Sequence, residues 1–190
     1  YANAPGRTGI YAARTAAQLG PGDAIHLGLA DAYVRDEDLD DVVARLQRIA
    51  PSDALADYTS RPPSWVAEHR DTLDETFGAD SIHEIAERVA RGGPGSAEFT
   101  GASPTALAVT HEGLKRAARM TDLTQCLAQD LVVSQHCARH PALAEGIRAR
   151  VVDKARSPRW QPPTLDAVTD ADVAGFFEPA YAPLEFDSWA

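Results

Sequence analysis

The sequence predicts a mainly α-helical protein, and three features of the chain support this prediction. Apolar residues recur with the period of one helix face, most clearly between residues 36 and 50. Strong helix-ending signals separate the periodic segments, among them Gly20-Pro21-Gly22 and the glycine-rich run at residues 92–95. Residues 29–34 are the one segment whose composition suits a short strand.

In the first part of the chain, the end signals define each predicted helix. The Ala-rich residues 9–19 stop at Gly20, and Asp23 is expected to cap a short helix that ends at Gly28. Acidic residues 36–38 suit the positive end of the next helix, which Pro51 should end. Residues 65–77 should form one or two short helices. The apolar face of the helix after residue 36 is predicted to contain Leu39, Val42, Val43, Leu46 and Ile49.

The later helices follow from their capping residues. Ser81 and Glu84 have the spacing of a capping box, which predicts a helix from residue 82 to the glycines at 92–95. Ser103 and Pro104 suit the N-cap and first position of a helix that reaches about residue 119. We expect Thr121 to cap a long helix, Pro141 to open the next one, and residues 169–177 to form a short last helix.

Composition limits the classes of function. The chain has 190 residues and a formal net charge of −10, which argues against a general nucleic-acid binder. No apolar run approaches the ~18–20 residues that span a bilayer, so we expect no membrane partner and a cytoplasmic location. We predict three regions: residues 1–50, a helical insertion or connector at 51–101, and a C-terminal helical domain at 102–190.

The titratable residues do not form a recognisable catalytic set. His111-Glu112 resembles the opening of a zinc-protease motif, but Lys115 stands where the second histidine should be. His136 and His140 lie one helical turn apart beside Cys137, but two ligands and a neighbour do not close a metal site. We therefore predict no metal and no catalytic residue within the chain.

One cationic segment stands out in this acidic chain. Residues 148–159 contain five basic side chains and one acid, a local charge near +4. A concentrated positive patch suits a small polyanionic ligand. Cations at a helix C-terminus also stabilise the helix dipole whatever the function, and the composition alone does not separate these two interpretations. The basic residues are Arg148, Arg150, Lys154, Arg156 and Arg159.

Four segments resemble the enoyl-CoA hydratase/isomerase (crotonase) superfamily, and in particular its 3-hydroxyisobutyryl-CoA hydrolase branch. Residues 4–11 resemble the helix after the active-site loop, and residues 23–34 resemble an element found throughout crotonases. Ser103-Pro104 begins a segment similar to a common helix start. The most specific segment is residues 145–160, where Asp153-Lys154 and Trp160 favour the hydrolase branch.

The resemblance implies a fold and a reaction. It implies the C-terminal helical part of a crotonase-like (ClpP/crotonase) fold, without most of the N-terminal spiral of ββα units. The parent protein would then hydrolyse 3-hydroxyisobutyryl-CoA or a similar acyl-CoA in valine breakdown, with its catalytic residues upstream of Tyr1. An enoyl-CoA hydratase or isomerase is the alternative within the superfamily. A non-catalytic helical module for oligomerisation is the alternative outside catalysis, so activity of the isolated chain stays open.

The resemblance also implies ligands and partners. Lys154 matches a lysine that contacts the nucleotide end of CoA in related hydratases, and Arg156 would strengthen the positive field nearby. Coenzyme A would be part of the substrate, and no separate cofactor is expected. Because Tyr1 opens the chain and Met120 is its one methionine, we expect a processed, truncated or fragmentary chain. Its expected partners are an N-terminal spiral-domain fragment or further copies of itself.

Overall fold

The computed structural model describes residue 1, residues 3–155 and residues 157–179. Its described part is mainly helical, as predicted. A 3-10 turn precedes α3, a π-helical turn follows α11, and a second 3-10 turn precedes α12. The α-helices are α1 (Thr8–Thr15), α2 (Pro21–His26), α3 (Leu39–Leu46), α4 (Pro51–Ala54), α5 (Trp65–Glu68), α6 (Arg70–Phe77), α7 (Ile82–Ala90), α8 (Ser96–Gly101), α9 (Pro104–Ala117), α10 (Leu123–Arg139), α11 (Pro141–Ile147) and α12 (Asp170–Gly175).

Polar caps begin most of the later helices where the sequence predicts them. The hydroxyl of Ser103 accepts from the backbone N–H of Ala106, and Thr169 caps α12 with a full capping box. Ser81 caps α7, but Glu84 pairs with Arg88 instead of reaching back to the cap. The prediction of Thr121 as the cap of α10 is wrong by one residue, because the carboxylate of Asp122 accepts from Thr124.

The hydrophobic core lies among α1, α6, α7, α8 and α9. Phe77, Leu73 and Ile85 are completely buried at its centre. The Phe77 ring packs edge-on against two other aromatic rings, with centroid distances of 5.5 Å to Tyr11 and 6.3 Å to Phe99. Burial of these large side chains is the main stabilising force in this half of the molecule.

The helices α10 and α11, the π-helical turn after them, and residues 153–155 and 157–160 form a second region that we call the arm. No residue of α10 or α11 is buried. Leu123 is 71% exposed, and Ile147 is 48% exposed. The predicted apolar faces of these helices therefore exist but lie largely open among the described residues.

In the first part of the chain, the structure differs from what the sequence pattern indicates. Residues 29–34 form no strand, because a strand needs a neighbour for its ladder of hydrogen bonds and no other described residue is in a strand. The helix after residue 36 exposes most of its predicted apolar face, and only Val42 is buried. Pro51 does not simply end that helix, since it also opens α4. The described part contains no helix with the length and apolar character needed to cross a membrane.

Candidate functional site: a cationic turn beside a large cleft

The cationic segment begins in an unusual piece of backbone. The last turn of α11 widens into a π-helix at Arg148–Val152, closed by the N–H of Asp153 donating to the carbonyl of Arg148 at 2.8 Å. Lys154 follows with a φ of +53°, a left-handed conformation that strains a residue with a Cβ by roughly 1–2 kcal/mol. Such turns persist only where the surrounding contacts hold them.

Glu145 supplies the main contacts that hold this backbone. Its carboxylate accepts two hydrogen bonds from the guanidinium of Arg148, at 2.8 and 2.7 Å. The same carboxylate accepts from the backbone N–H of Arg159 at 2.5 Å, fourteen residues further along the chain. Arg148 also pairs with Asp153. We call Glu145, Arg148, Asp153 and the N–H of Arg159 the clamp, because they join both ends of residues 153–159 to α11.

The clamp sets the charge of its members. The bidentate hydrogen bonds from Arg148, and then the N–H of Arg159, lower the pKa of Glu145 to about 2. The same contact raises the pKa of Arg148 above its usual value. The positive charge of Arg148 is therefore compensated by the carboxylates of Glu145 and Asp153. The segment thus offers less unpaired positive charge than its composition predicts.

Trp160 fixes the far end of the segment against the body of the molecule. Its indole N–H donates to the backbone carbonyl of Gly101, the last residue of α8, at 3.1 Å. Its ring lies against Gly146 on α11, where a Cβ would come within 3.3 Å of the indole carbon Cη2. A glycine at this position therefore allows the indole to pack close to the α11 backbone.

Lys154 is the second residue of the held segment. Its side chain is exposed and forms no ion pair with any residue that the structure describes. Arg156 lies outside the described residues, so its predicted role stays a prediction. Among the described residues, Lys154 thus carries an ammonium without an ion pair, beside backbone that the clamp holds.

A cleft of about 1470 Å³ separates the core from the arm. The side chains along it are mainly apolar, with isolated charged and hydroxyl groups. Its lining includes Tyr11 and Trp65 from the core, Leu143 and Ile147 from the arm, Arg150, and Trp160. This position puts the cationic turn at the edge of an open, largely apolar surface.

A buried pair of polar side chains lies on the core side of the same cleft. Arg14 on α1 donates through Nη2 to Nδ1 of His111 on α9. Burial and then the charge of Arg14 lower the pKa of His111 to about 4, and burial lowers that of Arg14 to about 10. Nε and Nη1 of Arg14 are buried without a partner among the described residues. His111 is therefore neutral near pH 7 and accepts from a buried cation.

The other histidines that the sequence singles out have structural contacts. The ring of His140 caps α11 by accepting from the N–H of Ala142, and His136 bonds the carbonyl of Glu178. Partial desolvation raises the pKa of the Cys137 thiol. No group of three or more His, Cys, Asp or Glu side chains suited to a metal occurs in the described residues.

Sequence reasoning missed two parts of the site. The first is the ion pair of Glu145, which its spacing of three from Arg148 could have indicated. Its bond to the Arg159 backbone has no sequence signal. The Arg14–His111 contact joins residues 97 positions apart, and nothing in either local pattern predicts it.

Comparison with known proteins agrees with the predicted family. The family model described as "Enoyl-CoA hydratase/isomerase" matches residues 1–177. A mitochondrial 3-hydroxyisobutyryl-CoA hydrolase of Xenopus tropicalis is 30% identical over 91% of this chain and 49% of its own length. The small ribosomal subunit protein mS47 of Arabidopsis thaliana is 31% identical over 97% of this chain and 50% of its own length. The chain thus spans about half the length of these relatives.

A solved structure shows the same architecture. A carnitinyl-CoA dehydratase from Mycobacterium thermoresistibile superposes with a TM-score of 0.88 and 35% identity. The superposition covers 98% of this chain and 56% of the dehydratase. The predicted fold, the helical C-terminal part of a crotonase-like protein, is therefore confirmed.

The expectation of a cytoplasmic location is wrong. It depended on the lack of apolar runs, a feature that does not distinguish one aqueous compartment from another. The 3-hydroxyisobutyryl-CoA hydrolases of Dictyostelium discoideum and Xenopus tropicalis are both named as mitochondrial proteins, which points away from the cytoplasm.

The matched family model covers most of the chain, and both the relatives and the superposed structure agree with it. The chain belongs to the enoyl-CoA hydratase/isomerase family.

Proposed function

We propose that this chain is part of an acyl-CoA thioester hydrolase that acts on 3-hydroxyisobutyryl-CoA or a similar short, branched acyl-CoA, as in valine breakdown. The names of the hydrolase relatives support this substrate class. Within the described residues we assign no catalytic group, and the carboxylate and backbone donors of the reaction would come from the rest of the protein. The contribution of this chain is to bind the substrate.

The observation that carries this role is the exposed Lys154 on its clamped turn. Coenzyme A is a polyanion, and a flexible ammonium can follow its phosphates with little cost in geometry. Arg150 lines the neighbouring cleft and adds positive field. In this role Lys154 lowers the KM for an acyl-CoA without changing kcat, because the phosphates lie far from the reacting carbonyl.

A hydratase is the rival within the family. The solved relatives carry the names carnitinyl-CoA dehydratase and enoyl-CoA hydratase, which favour carbon–oxygen chemistry with the thioester intact. The two reactions differ in one product, the free thiol. We expect the full-length protein to release CoA thiol from 3-hydroxyisobutyryl-CoA. Hydration of crotonyl-CoA with no thiol release would reject the hydrolase proposal.

A non-catalytic module is the second candidate, and two observations favour it. One relative that matches 97% of this chain is named as a ribosomal protein, not as an enzyme. The arm also exposes apolar side chains that a second copy or a spiral-domain fragment could cover. Intact mass and gel filtration of the purified sample test this candidate. A companion fragment that co-migrates indicates a divided enzyme, whereas a lone 20.3 kDa species favours the module.

A further inference from the structure

We infer that Glu145 is a positioning residue for Lys154: through the clamp it holds the strained turn that presents the ammonium to the phosphates of an acyl-CoA. The inference rests on the proposed ligand role of Lys154. It begins from the left-handed backbone of Lys154, the residue after the C-cap Asp153, a conformation that costs a residue with a Cβ roughly 1–2 kcal/mol.

The surroundings of Lys154 impose this conformation from both sides. On the N-terminal side, the π-helical turn and the Arg148–Asp153 pair fix the backbone directly before Lys154. On the C-terminal side, the N–H of Arg159 bonds to Glu145. Glu145 takes part in both constraints, because its carboxylate also orients the guanidinium of Arg148. One side chain on α11 therefore links Arg148, before Lys154, to the backbone N–H of Arg159, after it.

Within the cationic segment, the structure distinguishes the role of Arg148 from that of Lys154. Arg148 forms ion pairs with Glu145 and Asp153, so its charge helps to hold the backbone in place. Lys154 has no ion pair with a described residue, so its charge stays available to a ligand.

The test compares Glu145→Gln with Lys154→Ala and with the double variant, all in the full-length protein. Glu145→Gln keeps the size of the side chain but loses the charge that binds Arg148 and the Arg159 N–H. The matched control is Glu84→Gln, which removes a similar Glu–Arg pair on α7. Calorimetry measures the Kd for coenzyme A and for pantetheine, which lacks the phosphates. Hydrogen exchange measures the protection of the amides at residues 157–160, where Ser157, Arg159 and Trp160 carry an N–H and Pro158 does not.

We expect Lys154→Ala to weaken coenzyme A binding about 5- to 10-fold, the range of an exposed charge-assisted contact. Glu145→Gln should weaken it about 3-fold, speed exchange at residues 157–160, and raise KM with kcat unchanged. Pantetheine binding and the control should not change. In the Lys154→Ala background, Glu145→Gln should cause no further loss, because the two residues act through one contact.

A second pair of variants keeps the inference testable if Glu145→Gln fails to fold. Arg148→Lys retains the charge but loses the two-pronged contact, and it should give a smaller effect of the same kind. Lys154→Gly removes both the ammonium and the backbone strain. It should raise the Tm above that of Lys154→Ala while weakening coenzyme A binding equally.

The experiment distinguishes failure of the ligand role of Lys154 from failure of the positioning role of Glu145. Unchanged coenzyme A affinity in Lys154→Ala rejects the ligand role and the inference together. A loss in Lys154→Ala without one in Glu145→Gln rejects the positioning role alone. Equal losses from Glu145→Gln in both backgrounds also reject it, since Glu145 would then act independently of Lys154.

Discussion

The core and the arm of this chain are both helical, but different interactions hold them. The core packs aromatic and aliphatic side chains in its interior, with Phe77, Leu73 and Ile85 completely buried. No residue of α10 or α11 is buried, and the end of the arm is fixed by carboxylates, guanidinium groups and an indole N–H. The difference teaches that apolar periodicity identifies helices in both regions but does not reveal how each region is stabilised.

The same difference locates the proposed binding function. A region stabilised by burial tolerates little local change, because the interior is close-packed. A region held by a few directional polar contacts can fix one backbone turn, as the clamp does at Lys154, while leaving the side chain free. The arm is therefore the part of the chain where a ligand contact can be positioned without disturbing the core.

The largest expected effect lies in the core. Phe77→Ala should lower the free energy of unfolding by about 3–5 kcal/mol, because it leaves a cavity among Tyr11, Phe99 and their neighbours. Chemical denaturation monitored by circular dichroism measures the change. A loss below 1 kcal/mol would mean that the site collapses freely and that the core is not the close-packed region described.

Acid should weaken the core before it weakens the arm. The pKa of His111 is about 4 in the folded protein, below its ordinary value of 6.5. Because the unfolded chain binds a proton more readily, stability should be complete above pH 6.5 and fall by about 3 kcal/mol at most as the pH drops to 4. Thermal unfolding across this range measures the loss. His111→Gln keeps an acceptor for Arg14 and should flatten the curve.

Glu145 should respond to acid over a lower range. Its folded pKa of about 2 lies below the ordinary 4.5, so its contribution is present above pH 4.5 and is lost as the pH falls towards 2. Amide protection at residues 157–160 should therefore persist at pH 5, where the core has already lost stability. Loss of protection in parallel with the His111 transition would contradict the separation of the two regions.

The sequence predicted the helices well because their signals are local. Ser103 with Pro104, and Thr169, marked helix starts through side-chain groups only a few residues from the N–H groups that they accept from. The same reasoning placed Lys154 in a cationic segment, and the structure adds its backbone strain. No local signal indicates that Glu145 binds the N–H of Arg159 or that Arg14 meets His111, because tertiary packing brings these residues together.

Local sequence patterns do not indicate how exposed the apolar side chains of a helix are to solvent. The apolar period of residues 39–49 is real, and Leu39 to Leu46 form a helix, but only Val42 is buried. A period shows which side chains share a face and carries no information about whether another element covers that face. The domain boundaries at residues 50 and 101 stay a prediction for the same reason.

Within the arm, Trp160→Phe should have an intermediate effect. The phenyl ring is too short to replace the distal indole carbons that lie against Gly146, and it cannot donate to the carbonyl of Gly101. Loss of one hydrogen bond of 3.1 Å should cost about 0.5–1.5 kcal/mol in thermal or chemical unfolding. Faster amide exchange at residues 157–160 should accompany it. An effect as large as that of Phe77→Ala would show that the indole belongs to the core.

The smallest expected effect is that of Leu123→Gln on α10. Leu123 is 71% exposed, so the change removes little buried apolar area and should alter the free energy of unfolding by less than about 0.5 kcal/mol. Chemical denaturation of the 190-residue chain and of the full-length protein measures it in both settings. If the arm is covered by another part of the protein or by a second copy, the loss should exceed 1 kcal/mol in the full-length protein alone. Equal, negligible effects in both would mean that the Leu123 side chain stays exposed to solvent in the full-length protein. The oligomerisation candidate would then lose its structural support.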